Sequence, residues 1–256
     1  MKWTKLAGGI FILLMCVAVG CKKNANTQSD MVLVPAGEFV IGSNSGADDE
    51  QPEHRVYLDA FYIDKYEVTV DQYDKCVQSG KCTKPDEGGD CNWGKSDRGN
   101  HPINCVDWDQ ARTYCEWVGK RLPTEAEWEK AARGTDWRKY PWGDQDASCN
   151  YAVMDDGGNG CGKNSTWPVG SKPNGASPYG AMDMAGNVGE WVADRYGENY
   201  YKSNSNKNPK GPADGNYRVY RGGSWNLNAV NQRSSSRGRY NPVGKNYNCG
   251  FRCAGT

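Results

Sequence analysis

The cysteines of this chain constrain its fold more than any other feature. The sequence contains 11 of them, and all but Cys16 and Cys21 lie between residues 76 and 253. None of the spacings is CxxC and the chain has only 2 histidines, so a zinc cluster is not expected. In an oxidising compartment, the nine cysteines after Cys21 indicate a set of disulfides with one thiol left over.

The first 30 residues predict export. Lys2 and Lys5 precede an apolar run over residues 6–19, which ends in Ala-Val-Gly directly before Cys21. This pattern resembles the bacterial lipobox, so we expect residues 1–20 to be a lipoprotein signal peptide and Cys21 to be lipidated. Residues 21–30 then form a polar tether. The alternative is a plain signal peptide cleaved near Gly20. No Asp follows Cys21, which favours a periplasmic protein anchored in the outer membrane.

The composition of the whole chain indicates that residues 31–256 form one folded domain rich in loops. The net charge is +0, so we expect no nucleic-acid partner. Aliphatic residues are scarce, but 10 Trp and 15 Tyr supply large apolar surfaces for a core. The 32 glycines fit many tight turns.

Helix and strand signals are concentrated in the first half of this domain. Capping boxes predict three helices, which begin after Thr69, Asp107 and Thr124. Alternating apolar residues predict a strand over 31–41 broken by a Pro-Ala-Gly turn, and a second strand over 54–63. Short strands are expected near residues 188–192, 217–220 and 250–254.

Seven segments of the chain, in order, resemble the formylglycine-generating enzyme (sulfatase-modifying factor) family. They are VLVPAGEFVIGS (32–43), HRVYLDAFYIDKYEVTVDQY (54–73), HPINCVDWDQARTYCEWVGKRLPTEAEWEKAARG (101–134), YPWG (140–143), NGASPYGAMDMAGNVGEW (174–191), RVYRGGSW (218–225) and GFRCA (250–254). The resemblance implies an α+β, C-type-lectin-like fold that is low in regular secondary structure and stapled by disulfides.

The resemblance also shows what this chain lacks. Oxidases of the family use two cysteines shortly after the RGGS turn, which bind copper(I) or exchange as thiol and disulfide. The matching positions here are Leu227 and Gln232. Neither side chain is a thiolate, the soft ligand that selects copper(I). We therefore expect no copper and no formylglycine-generating activity.

Structural calcium is implied by the same resemblance. The side chains of Asp183 and Glu190 and the backbone carbonyls of Gly186 and Val188 match one family site. These are the hard oxygen ligands that calcium requires. A second site begins at Asn150, and its partner is Asp156, Asp155 or Asn159; the spacing leaves these alternatives open.

Disulfide pairing follows in part from the resemblance, which links Cys115 to Cys253. The pairs Cys76–Cys82 and Cys149–Cys161 would close small loops, and Cys91–Cys105 would complete the set. Cys249 is then left alone and is expected in the core. Other pairings stay open at this point.

Two functions are compatible with these observations. The first is a non-catalytic binding or scaffold lipoprotein that contacts a protein or glycan partner in the cell envelope. Its candidate ligand-binding residues follow the RGGS turn and suit adaptable hydrogen bonding: Ser224, Trp225, Asn226, Asn228, Asn231 and Arg233. The alternative is a formylglycine-generating-type or other cysteine-free oxidoreductase acting on an exported protein or peptide. The sequence singles out no acid–base residue for it, and His54 and His101 are expected to be structural.

Overall fold

The computed structural model describes Met1, residues 31–203 and residues 206–256. The predicted lipidation site Cys21, the tether and nearly all of the signal peptide therefore lie outside the described residues. Among the helices of the described part, none has the length and apolar character needed to cross a bilayer.

Three α-helices form where the capping boxes predict them. They are α1 (Val70–Gln78), α2 (Trp108–Trp117) and α3 (Glu125–Arg133). In each, the side chain of the capping residue accepts a hydrogen bond from the backbone N–H of the third helical residue. The side-chain oxygen of that third residue in turn accepts from the backbone N–H of the capping residue. These reciprocal bonds satisfy backbone donors that a helix start leaves unpaired.

Within the described residues, nine short strands form three small sheets. The first contains β1 (Met31–Val34), β4 (Phe61–Asp64) and β9 (Ala254–Gly255), in the order β1-β4-β9. The second pairs β2 (Gly37–Ile41) with β3 (His54–Leu58). The third has the order β7-β6-β5-β8 and is built from β5 (Gly189–Arg195), β6 (Arg218–Arg221), β7 (Arg237–Tyr240) and β8 (Cys249–Gly250). Only the β5–β8 pair is parallel.

The prediction of one strand over residues 54–63 was wrong. The segment divides into β3 and β4, which belong to different sheets. The burial pattern shows why: Val56 and Leu58 are buried, and the next buried pair is Phe61 and Ile63. Because side chains alternate every two residues along a strand, this step of three breaks the alternation and requires a break in the strand.

One further strand prediction differs from the structure, and one strand was not predicted. The expected strand over 250–254 is instead β8 and β9, which are two residues each and lie in different sheets. Strand β7 was not predicted, because its sequence Arg-Gly-Arg-Tyr carries no apolar alternation. That composition is typical of an edge strand, where charged side chains discourage pairing with another chain.

Four disulfides link the described residues: Cys76–Cys82, Cys91–Cys105, Cys115–Cys253 and Cys149–Cys161. These are the four pairs that the sequence and the family resemblance suggested. The Cys115–Cys253 bridge spans 138 residues and joins α2 to the end of the chain just before β9. Around it packs an aromatic cluster in which Tyr73 and Tyr114 stack with ring centroids 5.6 Å apart.

Helix α3 connects the core to the loops described next. The indole of Trp128 is fully buried and donates to Oε2 of Glu190 at 2.8 Å. Glu129 and Glu125 of the same helix form ion pairs with the buried guanidinium of Arg221 in β6. Both contacts hold the ends of β5 and β6 against α3.

Candidate functional site

The loop after β6 carries the positions that match the family's cysteine pair. It begins with Gly222 and Gly223, whose φ angles of 96° and 69° fall in the region that glycine favours. A Cβ added to Gly223 would lie 2.5 Å from Oε1 of Gln232, so the turn also requires the absence of a side chain. The glycines predicted at this turn are therefore needed for both conformation and space.

Leu227 and Gln232 are direct neighbours in this loop. Nε2 of Gln232 donates to the backbone carbonyl of Leu227 at 2.9 Å and to that of Ser224 at 3.2 Å. Gln232 is fully buried. The amide of Gln232 thus stabilises the loop through two internal hydrogen bonds, at a position that the resemblance matches to a cysteine of the family's oxidases.

The remaining thiol gives no substitute for that pair. Cys249 is the free cysteine of the described residues, and it is buried. Burial, and then the negative charge of Glu190, raises the pKa of Cys249 well above its ordinary value. Because the thiolate is the reactive and metal-binding form, this side chain is chemically inert under ordinary conditions.

The structure places several of the expected ligand-binding residues in the interior. Ser224 is buried and its hydroxyl donates to Oδ1 of Asn226 at 2.7 Å. Trp225 is only 4% exposed, and its backbone N–H donates to the carbonyl of Asn187. Their burial follows from packing of this loop against residues 183–190, which local sequence could not show. Ser224 and Trp225 thus lie beneath the surface of the loop, where a partner at the surface would not contact them directly.

Arg233 is half-buried and engaged elsewhere in the fold. Its guanidinium binds both carboxylate oxygens of Glu50, at 2.6 and 2.7 Å. No local pattern predicts this pair, because the two residues are 183 positions apart. Arg233 consequently fixes the loop and is not free to bind a ligand.

The surface of the loop consists of amides and one apolar side chain. Asn228 is exposed, Asn226 and Asn231 are half-exposed, and Nδ2 of Asn231 donates to Oδ1 of Asn228 at 3.0 Å. Val230 between them is 63% exposed, and Tyr247, which accepts from Nδ2 of Asn226, is 40% exposed. We call these residues the amide face: Asn226, Asn228, Val230, Asn231 and Tyr247.

Residues 183–190 form a second loop bonded directly to the first. The N–H of Gly186 donates to the carbonyl of Gly222 at 2.8 Å. Asp183 and Glu190 at its two ends are both buried. No hydrogen bond from the described residues reaches the backbone carbonyl of Gly186 or of Val188. Two buried carbonyls without a donor suit a cation, so the donor set that the sequence suggested fits calcium.

The carboxylates of this loop have defined partners. Glu190 accepts from Nε and Nη2 of Arg252 at 2.7 and 2.6 Å, in addition to its bond with Trp128. Oδ2 of Asp183 accepts from the N–H of Gly170 at 2.5 Å. Burial raises the pKa of Asp183 to about 6. A cation at this loop would share Glu190 with Arg252.

Glu67 is a buried residue of this region that sequence reasoning missed. Its Oε2 accepts from Nδ2 of Asn187 at 2.7 Å, and its Oε1 accepts from the N–H of Val188 at 3.1 Å. Burial and the charges of Asp183 and Glu190 raise the pKa of Glu67 well above its usual value. Its only sequence signal was its place in the segment YEVT that resembles the family.

The residues suggested for a second calcium site lie close together at the Cys149–Cys161 disulfide. Oδ2 of Asp156 accepts from the N–H of Cys149, the residue before Asn150, at 3.0 Å. Oδ1 of Asp155 accepts from the N–H of Gly158 at 2.9 Å. Both carboxylates thus shape their own loop. Within the described residues, neither this set nor the 183–190 loop has three acidic, His or Cys side chains grouped to hold a metal, so backbone carbonyls would have to complete either site.

The two histidines make no direct hydrogen bond to either loop within the described residues, although His101 contacts Thr166, and the backbone N–H of the next residue, Trp167, donates to Oδ1 of Asn187. Nδ1 of His101 contacts Oγ1 of Thr166 at 2.9 Å and the guanidinium of Arg98 at 3.2 Å. Burial, and then the charge of Arg98, lowers the pKa of His101 to about 4. His54 contacts the carbonyl of Pro52 at 3.0 Å. These contacts are structural.

Comparison with known proteins identifies relatives along nearly the whole described chain. The chain is 36% identical to the serine/threonine-protein kinase Pkn1 of Chlamydia caviae over 245 residues, which cover 88% of this chain but only 38% of that protein. It is 33% identical to the formylglycine-generating enzyme of Mus musculus, with 88% and 74% of the two chains covered. It thus spans well under half the length of the Pkn1 proteins that it matches.

The fold has a solved counterpart in PvdO from Pseudomonas aeruginosa. The two structures superpose with a TM-score of 0.75 at 30% identity, covering 88% of this chain and 93% of that one. The model of the sulfatase-modifying factor enzyme 1-like domain matches residues 18–256. With its mixed α+β architecture, its four disulfides and this match, the chain belongs to the sulfatase-modifying factor family, which includes the formylglycine-generating enzymes.

Proposed function

We propose that this protein is a non-catalytic binding or scaffold module of the cell envelope. The observation that carries the proposal is the amide of Gln232, which is buried and bonded to Leu227 where the oxidases hold a cysteine pair. Copper(I) chemistry needs two soft sulfur ligands side by side. An amide and an aliphatic side chain offer no thiolate and no redox couple.

The other cysteines of the described residues do not supply a pair of thiolates for copper(I). Eight cysteines are paired in disulfides, and Cys249 is buried with a raised pKa. A formylglycine-generating or other oxidoreductase activity is the alternative, supported by identity to the mouse enzyme. It would require a reactive group that neither loop supplies.

The amide face is the surface that we assign to partner binding. Its amides can donate and accept, while Val230 and Tyr247 add exposed apolar area. Protein interfaces commonly combine amide side chains, which adapt their hydrogen bonds, with exposed aromatic and apolar side chains. The loop beneath it is held rigid by Gln232 and by the Arg233–Glu50 pair, so a protein or glycan partner would meet a preorganised surface.

A structural calcium ion belongs to this proposal. Asp183, Glu190 and the carbonyls of Gly186 and Val188 would hold it, and the ion would supply positive charge that ties the 183–190 loop together. This loop supports the amide face through the bonds of Gly186 to Gly222 and of Trp225 to Asn187. The second set, Asn150 with Asp156, is proposed only as a weaker calcium site.

Export and lipidation at Cys21 complete the proposal. An acylated Cys21 would tether the domain to the outer membrane on the periplasmic side through residues 22–30. Labelling of cells with a radioactive fatty acid tests this, since the wild type should carry label and Cys21→Ala should not. Label retained by Cys21→Ala would contradict the assignment.

The enzymatic alternative is tested with purified protein, copper and a peptide containing the CxPxR motif. We expect no mass change in the peptide, while the mouse formylglycine-generating enzyme serves as positive control. The double variant L227C/Q232C is the matched gain-of-sulfur control for copper(I) uptake. Conversion of the peptide by the wild type, or uptake of one copper(I) as a thiolate complex, would refute the non-catalytic function.

A further inference from the structure

The loop of residues 183–190 has a backbone shape with three positive φ angles. Asp183 and Asn187 have φ angles of 55° and 57°, and Gly186 has 81°. Asp and Asn adopt left-handed conformations more readily than other non-glycine residues, but these remain uncommon, and surrounding contacts help to hold them. A residue that bonds to this loop from another element therefore determines where its two donor-free carbonyls lie.

Glu67 makes two such bonds, both directed at the centre of the loop. It follows β4 in the chain and lies 120 positions before Asn187, whose side chain it accepts from at 2.7 Å. It also accepts from the N–H of Val188 at 3.1 Å. These two residues come directly after Gly186, and Val188 itself carries one of the proposed calcium-binding carbonyls. Glu67 thus fixes the segment on which both carbonyls stand.

The buried carboxyl groups around Glu67 give a second argument. Glu67, Asp183 and Glu190 are all buried, and within the described residues the guanidinium of Arg252 bonds to Glu190 alone of the three. Glu67 bonds instead to Asn187 and Val188, so its place beneath the loop is explained by how it holds that segment.

We propose that Glu67 is the positioning residue of the calcium loop, acting through Asn187 and Val188 without contacting the ion. This inference rests on the calcium site of the proposed function. It explains why a fully buried carboxylate is placed beneath a loop that already contains two. It also assigns a role to a residue outside the motif that carries the expected ligands.

The variant Glu67→Gln tests the inference in the full-length protein purified in detergent. Its amide has one acceptor oxygen, so it cannot accept from Asn187 and Val188 with both terminal atoms. We expect calcium and terbium affinity to fall about tenfold or more, as for other residues that orient metal ligands. Titration calorimetry with calcium and tryptophan-sensitised terbium luminescence measure this. Glu38→Gln, on an exposed part of β2, is the matched control and should bind like the wild type.

The outcomes separate the two proposals. If the wild type binds neither ion, the calcium site itself is wrong. If the wild type binds calcium and Glu67→Gln binds it equally well, the inference about Glu67 is wrong. A lower melting temperature of Glu67→Gln, equal with calcium and with chelator, would then show that Glu67 only stabilises the fold. Should Glu67→Gln fail to fold, Asn187→Gly removes the bond to Glu67, together with the one that Asn187 accepts from the N–H of Trp167, while permitting the positive φ. It should weaken binding in the same direction, and unchanged binding would overturn the inference.

Discussion

Gln232 is bound to Leu227, with its Nε2 donating to the backbone carbonyl of Leu227 at 2.9 Å. The same amide also bonds to the carbonyl of Ser224, so one side chain closes the loop after β6. The resemblance matches Leu227 and Gln232 to the cysteine pair of the family's oxidases. Here the neutral side chain of Gln232 has a structural role, and in the proposed function the amide face above it binds a partner.

Removal of this amide should loosen the loop. Gln232→Ala removes two hydrogen bonds inside the protein, although the carbonyls of Leu227 and Ser224 keep the backbone N–H groups of Asp155 and Leu227 as donors. At about 1 kcal/mol for each lost bond, we expect a loss of about 2 kcal/mol in the free energy of unfolding. Urea denaturation measures it. Asn231→Ala, one residue away and half-exposed, is the control and should cost about 0.5 kcal/mol or less. Equal effects of the two variants would contradict the role of Gln232.

Replacement of Arg221 should destabilise the protein strongly. Arg221→Met leaves Glu125 and Glu129 buried with one cation fewer, and an unbalanced buried carboxylate costs about 3–5 kcal/mol. Chemical denaturation followed by tryptophan fluorescence provides the measurement. Arg55→Met is the control, because the Arg55–Glu38 pair is 3.6 Å apart and exposed, and such pairs contribute about 0–1 kcal/mol. A small loss for Arg221→Met would show that the network relaxes.

The long disulfide should stabilise the domain more than the shortest one. In the loop-entropy model, opening Cys115–Cys253 costs about 5 kcal/mol, whereas opening the six-residue loop of Cys76–Cys82 costs about 2.5 kcal/mol. Paired Cys→Ser variants of each bridge, compared by thermal denaturation, test the order. A larger loss for the Cys76–Cys82 variant would contradict the model.

Acid should destabilise the protein in part through His101. Because burial lowers the pKa of His101 to about 4 from the ordinary 6.5, the unfolded chain takes up the proton first as the pH falls. The stability from the neutral ring is complete above pH 6.5 and is lost between about pH 6.5 and pH 4. Melting temperatures across this range should fall less steeply for His101→Asn than for the wild type. His54→Asn is the control, and an unchanged slope for His101→Asn would refute the assignment.

Sequence patterns predicted the elements that depend on local chemistry. The helix starts at Thr69, Asp107 and Thr124 are capping boxes, whose bonds join residues three positions apart. The positions of strands β1 and β2 follow from alternation and a turn. The break between β3 and β4 was missed, although the shift from Leu58 to Phe61 was present in the sequence. Strand β7 was missed because an exposed edge carries no apolar signal.

The candidate site was predictable only where the family motif reaches. The family-like segments, taken in sequence order, predicted the roles of Leu227, Gln232 and residues 183–190. Glu50 and Glu67 were not, because each acts through a partner more than 100 positions away. Burial of Trp225 likewise depends on a neighbouring loop.

By itself, the sequence determined the family, the number of helices, the residues available for disulfides and the absence of the paired cysteines at positions 227 and 232. Those features depend on residue identity and short spacing alone. The tertiary structure decided which amides reach the surface and that Glu67 lies beneath the 183–190 loop. It also decided that the amide of Gln232 bonds to two backbone carbonyls inside the loop after β6. Burial and hydrogen bonding between distant segments exist only once the chain has packed, so no local pattern can encode them.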